Sequence, residues 1–528
     1  MGSENTGTPR QRRVPKRDPA APQGKPDGGK RVNKGSLVRA LGFEGERMSR
    51  VDTAWLRMDS EHNHMTILGV WLLRPGISLA ELRQRVQERM LVYKRFRQIA
   101  REDATGAHWI EDTSFDLARH VSAHKLKPGK GQTAHQALQT RVAKLAAQGL
   151  DRSHPLWHFE LVDGVQGGSA MIARIHHCIA DGIALISVMM SLVDDGAPPK
   201  KLSLPSPGVE PDAMDPLDAL QSWLADTLVR PLGSLTAKTL ETAGGGAASS
   251  LAWLGAPQES WGKSLGLVEG LARNGMQLVS DLAALALMPD DSPTRLKGTP
   301  GGAKKVAWCE PISLHQVKAV GKAMNCSIND VLLSCVAGAI GTYLQNKGDE
   351  THGHEIRAMV PINLRPMEDA WKLGNQFGLV PLTLPVGIPN PLERLFEVRR
   401  RMSELKGSMQ PLLTYALLSL AGILVKPAQD ALMDLFGRKT TAVMTNVPGP
   451  AQKLKMCGST LEQTMFWVPQ TGTVGMGVSI LSYGGGVQFG LISDTALCDD
   501  PQAIIDRFTP AFESLLTLTL MLPWGDMD

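Results

Sequence analysis

Apolar and polar residues follow two periods along this chain, one typical of β-strands and one typical of helices. Residues 65–73 have the length and the β-branched content of a strand. Ser78 then begins a helical run that extends to Met90, and Glu81 stands where a capping box requires a carboxylate. Residues 132–148 form the clearest further helical run of this half. This alternation from about residue 44 onward predicts an α/β fold.

The second half of the chain repeats the alternation. Residues 305–308 read as a strand and residues 314–324 as a helix. Ser327 and Asp330 form a second predicted capping box, which opens a long helix extending to about Leu344. Residues 482–494 contain a glycine-rich turn between two apolar runs, the pattern of a hairpin. The second half therefore predicts a further unit of mixed strands and helices.

A polar group interrupts the apolar pattern between a strand-like run ending at residue 175 and the next helical run. It consists of His176, His177 and Asp181, with Gly182 opening the helix. A histidine at a strand end is held by the sheet yet faces open space, which suits a general base. With a pKa of about 6.5, a neutral imidazole can take a proton from an alcohol. Asp181 either fixes this loop by pairing with an arginine or a backbone donor, or simply caps the helix.

Length and composition set the domain organisation. A chain of 528 residues exceeds one ordinary core, so we expect two domains. Apolar residues make up 43% and charged residues 20% of the chain, as in globular proteins. The predicted divisions are a disordered basic tail, an N-terminal domain, a proline-rich and helical linker, and a C-terminal domain, at residues 1–43, 44–196, 197–303 and 304–528.

Positive charge is concentrated at the N-terminus. Residues 1–40 contain ten Lys or Arg and three carboxylates, a net charge of +7, whereas the whole chain carries only +4. Rich in Pro and Gly, this tail predicts either an electrostatic contact with anionic membranes or lipid inclusions, or a solubilising extension. Aromatic residues are only 5% of the chain, which argues against base stacking on nucleic acid. The longest apolar run, residues 415–425, is too short to span a bilayer.

Metal binding is an alternative use of the histidines. His154, His158, His176 and His177 lie within 24 residues of sequence. No cysteine pair and no HExxH helix accompanies them, so the sequence favours no metal site.

The pattern HHxxxDG resembles the active-site signature of the CoA-dependent acyltransferase superfamily, whose members share a chloramphenicol-acetyltransferase-like fold. This resemblance implies that His177 is the general base, that Asp181 is structural and that His176 positions the loop. Pro155, Leu156 and Trp157 precede the motif. Such a triplet narrows the resemblance to the bacterial wax ester synthase/diacylglycerol acyltransferase family.

Further motifs extend this resemblance over roughly residues 46–520. Asn329 and Asp330 resemble a second signature of the family, with a structural or channel-lining role. The remaining landmarks lie at residues 359–365, 374–376, 445–450, 475–479 and 482–494. Asn329, Asn446 and Ser479 are the polar candidates for stabilising an oxyanion, and the sequence does not choose among them.

The resemblance implies an α/β protein with two chloramphenicol-acetyltransferase-like domains, mixed sheets flanked by helices and a tunnel between the domains. It implies an enzyme that moves a fatty acyl group from acyl-CoA to a long-chain alcohol or to diacylglycerol, without a metal or redox cofactor. We expect a cytoplasmic protein associated peripherally with the inner membrane or lipid inclusions, and no nucleic-acid partner. The oligomeric state is left open, a dimer included.

Two other functions fit parts of the sequence. Condensation domains, which act on carrier-bound thioesters, share HHxxxDG, but no carrier-like or adenylating module adjoins it here. A non-catalytic protein of lipid inclusions would need the basic tail and apolar helix faces but not His177. Activity with free acyl-CoA as the donor would distinguish the proposed acyltransferase from a condensation domain. Activity that requires His177 would distinguish it from a non-catalytic protein.

Overall fold

The computed structural model of the protein describes residues 45–103, 106–165, 167–196, 288–365, 372–405, 410–424 and 426–521. The predicted tail at residues 1–43 lies outside these ranges, as does most of the predicted linker at residues 197–303.

Strands and helices alternate through the described ranges. The strands are β1 (Glu46–Arg47), β2 (Thr66–Arg74), β3 (Gln98–Asp103), β4 (Gly106–Glu111), β5 (Val121–Lys125), β6 (Trp157–Val165), β7 (Gly168–His176), β8 (Lys304–Trp308), β9 (Ile312–Ser313), β10 (Ile356–Asn363), β11 (Phe377–Leu384), β12 (Ala442–Pro448), β13 (Lys455–Met456), β14 (Ser459–Trp467), β15 (Met476–Tyr483) and β16 (Gly486–Asp494). The α-helices are α1 (Arg50–Arg57), α2 (Leu79–Arg89), α3 (Leu117–His120), α4 (Ala134–Ala146), α5 (Gly182–Ser191), α6 (Leu314–Ala323), α7 (Ile328–Asn346), α8 (Pro391–Leu405), α9 (Gln410–Ala421), α10 (Lys426–Arg438) and α11 (Pro501–Leu520). Residues 94–97 form a short 3-10 helix.

The first sheet carries the histidine motif. Its six strands have the spatial order β13-β14-β2-β7-β6-β5. β7 is antiparallel to β2 on one side and to β6 on the other, and every residue of β7 after Gly168 is buried. This double coverage explains why its sequence reads as one apolar run. β14 pairs with β2 antiparallel, with Trp467 opposite Leu68. The second half of the chain therefore supplies two strands of the first sheet.

The second sheet belongs to the second half of the chain. Its main order is β11-β10-β12-β15-β16-β8, and β9 pairs with β16 beside this path. β12 is parallel to both β10 and β15, whereas the other neighbours are antiparallel. A small third sheet has the order β1-β4-β3. The two large sheets are thus both mixed.

Helices cover the sheets and enclose the core. α7 is buried along most of its length and packs against α8 and α11. α9 packs against both β11 and α1. This last contact joins the second half of the chain to the helix that precedes β2.

The architecture confirms the predicted fold class, with mixed sheets flanked by helices. Both capping boxes form, because Glu81 N and Asp330 N donate to the hydroxyls of Ser78 and Ser327 at 3.2 Å. The predicted hairpin is β15 and β16, which pair antiparallel. The predicted domain boundary at residue 304 does not coincide with a boundary between sheets. β14, which follows it in sequence, pairs with β2 in the first sheet.

The described helices are short or only partly apolar when each is taken alone. No single one of them combines the length and the apolar composition needed to cross a bilayer. α6 and α7, bent by 101° relative to each other, meet these criteria only when taken together.

Candidate active site

The end of β7 places His177 at the meeting point of the two halves. His177 N donates to Met65 O at 2.7 Å, which fixes the residue to the chain preceding β2. The loop then contacts the segment before β11, since Gly374 N donates to Ile179 O and Asp181 N donates to Gly374 O, both at 3.1 Å. The backbone of His177 is therefore held from both halves of the chain.

Two aromatic residues hold the imidazole of His177. Trp55 stacks on it with ring centroids 4.1 Å apart and an interplanar angle of 14°. Phe377 lies 5.4 Å from it in a tilted arrangement. Trp55 opposes rotation of the imidazole about its Cβ–Cγ bond, because that rotation would turn the ring out of the stacked plane.

Asn375 and Asp52 complete the polar environment of the ring. His177 Nδ1 lies 2.8 Å from Asn375 Oδ1. Asn375 Nδ2 donates to the carbonyl oxygen of His177 at 2.7 Å and to Asp52 Oδ1 at 2.8 Å. On α1, Asp52 and Trp55 are three residues apart and so share one helix face. One turn of helix thus presents both a carboxylate and an indole to the site.

Burial changes the pKa values at this site. It lowers the pKa of His177 to about 4, and the nearby Asp181 carboxylate and the Asn375 amide offset only part of this effect. The imidazole is therefore neutral at pH 7. Burial likewise raises the pKa of Asp52 to about 6, against the opposing effect of its hydrogen bonds from Asn375. At pH 7 Asp52 is mostly ionised.

Asp181 makes both of the contacts that the sequence left open. Its Oδ1 accepts from Ala184 N at 2.9 Å, which caps α5. Its Oδ2 accepts from Arg365 Nη2 at 2.9 Å and from Gln376 N at 3.0 Å. The side chains of Asp181 and Arg365 are only 4% and 3% exposed. This buried ion pair ties the motif to the second half of the chain.

The side chain of His176 has different partners from that of His177. Its Nδ1 accepts from Cys178 N at 3.2 Å, and its Nε2 lies 3.9 Å from Asp59 Oδ2. Burial lowers its pKa to about 4, so this ring is also neutral at pH 7. His176 does not line the cavity described below. These contacts agree with a loop-positioning residue rather than a proton carrier.

A cavity of about 340 Å³ opens beside His177 and Trp55. This volume lies within the range of about 300–1,000 Å³ that is usual for ligand pockets. Asp181, Asn363, Thr414, Thr445 and Asn446 are among its polar residues. Its apolar lining includes Met58, Ile183, Ile186, Met359, Phe377, Leu379, Leu417, Leu418, Met433, Phe436, Val443, Val447, Phe466, Val468 and Val474. Such a lining suits a hydrocarbon chain, and the histidine offers a base next to it.

The predicted triplet of Pro155, Leu156 and Trp157 contacts the histidine motif and the chain before β3. Leu156 O accepts from His176 N at 2.9 Å, and Trp157 Nε1 donates to Phe96 O at 2.8 Å. Pro155, Leu156 and Trp157 are all buried, and none of them lines the cavity. The triplet therefore contacts the motif from the start of β6 and lies outside the cavity.

The predicted polar residues of the second half occupy different places. Asn446 lines the cavity, and its Nδ2 donates to Asn329 Oδ1 at 2.9 Å. Asp330 accepts from Ser327 N at 2.8 Å and so caps α7. Ser479 is buried on β15 beside Thr445 but does not line the cavity. Of the three predicted oxyanion candidates, Asn446 lines the cavity, whereas Asn329 and Ser479 do not.

The other histidines of the sequence cluster have separate partners. His154 Nδ1 lies 3.2 Å from Asp112 Oδ2, and His158 Nε2 lies 3.1 Å from Ser122 Oγ. Among the described residues, no three His, Cys, Asp or Glu side chains are arranged to hold a metal ion.

Sequence reasoning missed four residues of this site, namely Asp52, Trp55, Arg365 and Asn375. Arg365 and Asn375 lie inside motifs that resemble family landmarks, and this was the only signal for them. Asp52 and Asn375 are 323 residues apart in sequence, so only the folded chain brings them together.

Comparison with known proteins places this arrangement in a family. The wax ester synthase/diacylglycerol acyltransferase catalytic domain matches residues 48–332, and the C-terminal domain of the same family matches residues 373–516. A Mycobacterium tuberculosis protein named "Probable diacyglycerol O-acyltransferase" is 25% identical over 485 residues, covering 89% of this chain and 96% of the relative.

Solved structures share the fold. The wax ester synthase/diacylglycerol acyltransferase from Marinobacter aquaeolei VT8 is 19% identical and superposes with a TM-score of 0.60, covering 90% of this chain and all of that one. The first condensation domain of the calcium-dependent antibiotic synthetase reaches 0.51 at 13% identity, with 90% and 97% coverage. Because the two family domains together match most of its residues, this chain belongs to the wax ester synthase/diacylglycerol acyltransferase family.

Proposed function

We propose that the protein transfers a fatty acyl group from acyl-CoA to the hydroxyl of a long-chain alcohol or of diacylglycerol, with His177 as general base. The observation that carries the proposal is a neutral, aromatic-stacked imidazole on the wall of a mostly apolar cavity. The mycobacterial relatives named as diacylglycerol O-acyltransferases support the acceptor class.

In one catalytic cycle a proton moves from the substrate hydroxyl to His177 and then from His177 to the leaving CoA thiolate. The imidazole of His177 takes the hydroxyl proton while the oxygen attacks the thioester carbonyl carbon. The tetrahedral intermediate then expels the CoA thiolate and leaves the ester. The thiolate is much more basic than this buried imidazole, so it takes the proton from the imidazolium and leaves as CoA thiol. Asn446, on the same cavity, is the side chain we assign to the oxyanion.

Release of CoA by the purified protein tests this proposal. Palmitoyl-CoA is supplied with hexadecanol, with diacylglycerol or with no acceptor. We expect acceptor-dependent release that His177→Ala lowers by about 10²–10⁴-fold. His154→Ala is the matched control, because it removes a histidine that does not line the cavity.

Three other outcomes are informative. Equal release by His177→Ala and the wild type would remove His177 as the base. A carrier-bound palmitoyl thioester that serves where palmitoyl-CoA does not would favour condensation-type chemistry. Lipid binding without any release would favour a non-catalytic protein of lipid inclusions.

Peripheral attachment to the inner membrane or to lipid inclusions belongs to the same proposal. Its support is the concentration of Lys and Arg in residues 1–40. Sedimentation with anionic vesicles should decrease when these residues are replaced by Gln and when salt is raised. Binding that is unchanged by both treatments would remove the tail as the attachment site.

A further inference from the structure

A buried chain of hydrogen bonds leads away from the proposed base. His177, Asn375 and Asp52 are 3%, 6% and 6% exposed. The chain runs from His177 Nδ1 to Asn375 Oδ1 at 2.8 Å and from Asn375 Nδ2 to Asp52 Oδ1 at 2.8 Å. Asp52 Oδ1 also accepts from the backbone Asn375 N at 3.0 Å. Asp52 does not line the cavity, and its hydrogen bonds connect it to the imidazole through Asn375.

The partners of Asn375 determine which way its amide faces. A carbonyl oxygen and a carboxylate only accept hydrogen bonds, and the amide nitrogen has two hydrogens to donate. The backbone oxygen of His177 and Asp52 Oδ1 take these two hydrogens. The amide oxygen must therefore face the imidazole, and His177 Nδ1 must carry the hydrogen between them. A neutral imidazole with hydrogen on Nδ1 has its lone pair on Nε2.

The reverse orientation of the amide has a clear cost. A flipped Asn375 would set its oxygen against the carboxylate of Asp52 and against the backbone oxygen of His177, and it would present hydrogens to the ring. The imidazole would then accept at Nδ1 and carry its hydrogen on Nε2. An imidazole in that form cannot take a proton at Nε2 from a substrate hydroxyl.

We propose that Asp52 is a positioning residue that holds His177 in the base-competent tautomer through the amide of Asn375. This inference rests on the proposed role of His177 as base and adds two residues to it. Asp52 and Asn375 touch no reacting atom. Their contribution is to keep the lone pair at Nε2 through each cycle.

The tautomer can be observed directly by NMR of full-length protein carrying ¹⁵N-labelled histidine, with the His177 signal assigned from His177→Ala. In the wild type we expect the Nδ1–H form. Asn375→Leu should allow the Nε2–H form and lower kcat by about 10²-fold or more, since the wrong tautomer costs a serine protease about 10⁴-fold. Asp52→Leu removes one of the two acceptors that orient the Asn375 amide and leaves the other, the backbone oxygen of His177. We therefore expect a mixture of the two tautomers in this variant.

Two further variants separate positioning from general damage to the fold. Gln488→Leu removes another buried amide, which donates to Cys309 O and does not line the cavity. It should leave the tautomer and kcat unchanged. If Asp52→Leu does not fold, Asp52→Asn replaces it, because an amide at this position can face either way and should also give a mixture.

The proposal is overturned if His177 keeps the Nδ1–H form in Asn375→Leu and in the Asp52 variants. It is also overturned if kcat in these variants falls no further than in Gln488→Leu. The NMR measurement requires no turnover. A wild-type protein that transfers no acyl group would therefore contradict the proposed function, while the tautomer would still decide the role of Asp52.

Discussion

The buried pair of Asp181 and Arg365 gives the sharpest test of how the two halves of the chain are joined. We consider Arg365→Met, which keeps the volume of the side chain and removes its charge. The guanidinium donates to Asp181 Oδ2 at 2.9 Å and to Gly374 O at 2.7 Å, and it also contacts Lys372 O. The substitution therefore leaves a carboxylate that is only 4% exposed without its cation.

Removing one partner of a buried ion pair typically costs about 3–5 kcal/mol, chiefly because the other charge stays buried and unpaired. Asp181 keeps its bonds from Ala184 N and Gln376 N, so we expect the lower part of this range. Urea unfolding of the full chain measures the loss. Asp181→Asn in the same chain removes the stranded charge and leaves a residue that still caps helices well. The double variant should therefore lose less than the sum of the single losses.

We expect a coupling free energy between Asp181 and Arg365 of about 1–3 kcal/mol. Additive losses within about 0.5 kcal/mol would refute it, because they would mean that the two side chains do not share an interaction. Activity should fall as well, since Arg365 anchors the backbone next to Asn375. Arg141→Met is the control, because Arg141 pairs with Glu160 away from the cavity. It should lower stability and spare activity.

Three further predictions concern pH and packing. Folding lowers the pKa values of His176 and His177 from about 6.5 to about 4, so the unfolded chain binds more protons in this range. The free energy of unfolding should therefore fall as the pH is lowered from 6.5 to 4, by about 3 kcal/mol for each ring. Asp52 should offset part of this loss, because its pKa is raised to about 6. Urea unfolding that shows equal or greater stability at pH 5 than at pH 7 would contradict this. Gly422→Ala would set a methyl group 1.8 Å from Arg50 O and push α9 away from α1. We expect the free energy of unfolding to fall by about 1–3 kcal/mol and the activity to decrease. An unchanged melting temperature would contradict this packing argument. The Cβ added by Gly182→Ala meets no atom within 4 Å, but residue 182 lines the cavity. This variant should therefore keep the melting temperature of the wild type and have a lower kcat/KM. Unchanged kinetics would show that the substrate does not pass this point.

Local chemistry in the sequence was a good guide to local structure. The capping box of Ser78 and Glu81 marks the start of α2, and the apolar run before His176 is the buried strand β7. The helix α11, from Pro501 to Leu520, was not anticipated, although Asp500 caps it and a proline lies in its first turn. Caps and periodicity depend on residues a few positions apart, so a single sequence contains them.

The site itself was only partly predictable, for a physical reason. His177, Asp181 and the loop between them could be singled out because they are close together in sequence. Asp52 and Asn375 have no special residue type or spacing, and they act only because strand pairing and the packing of α1 bring them to His177. Ser479 was an oxyanion candidate on residue type alone, and it is buried outside the cavity lining.

The crossing of β14 into the first sheet has a consequence for synthesis on the ribosome. β2 lies between β7 and β14, so it stays an unpaired sheet edge until residues 459–467 have been made. At about 5–20 residues per second, that delay is roughly 20–80 s. During this time β2 presents free backbone groups and apolar side chains such as Val70 and Leu73, a template for pairing with other chains. We therefore expect aggregation of nascent chains to be favoured until the second half has emerged.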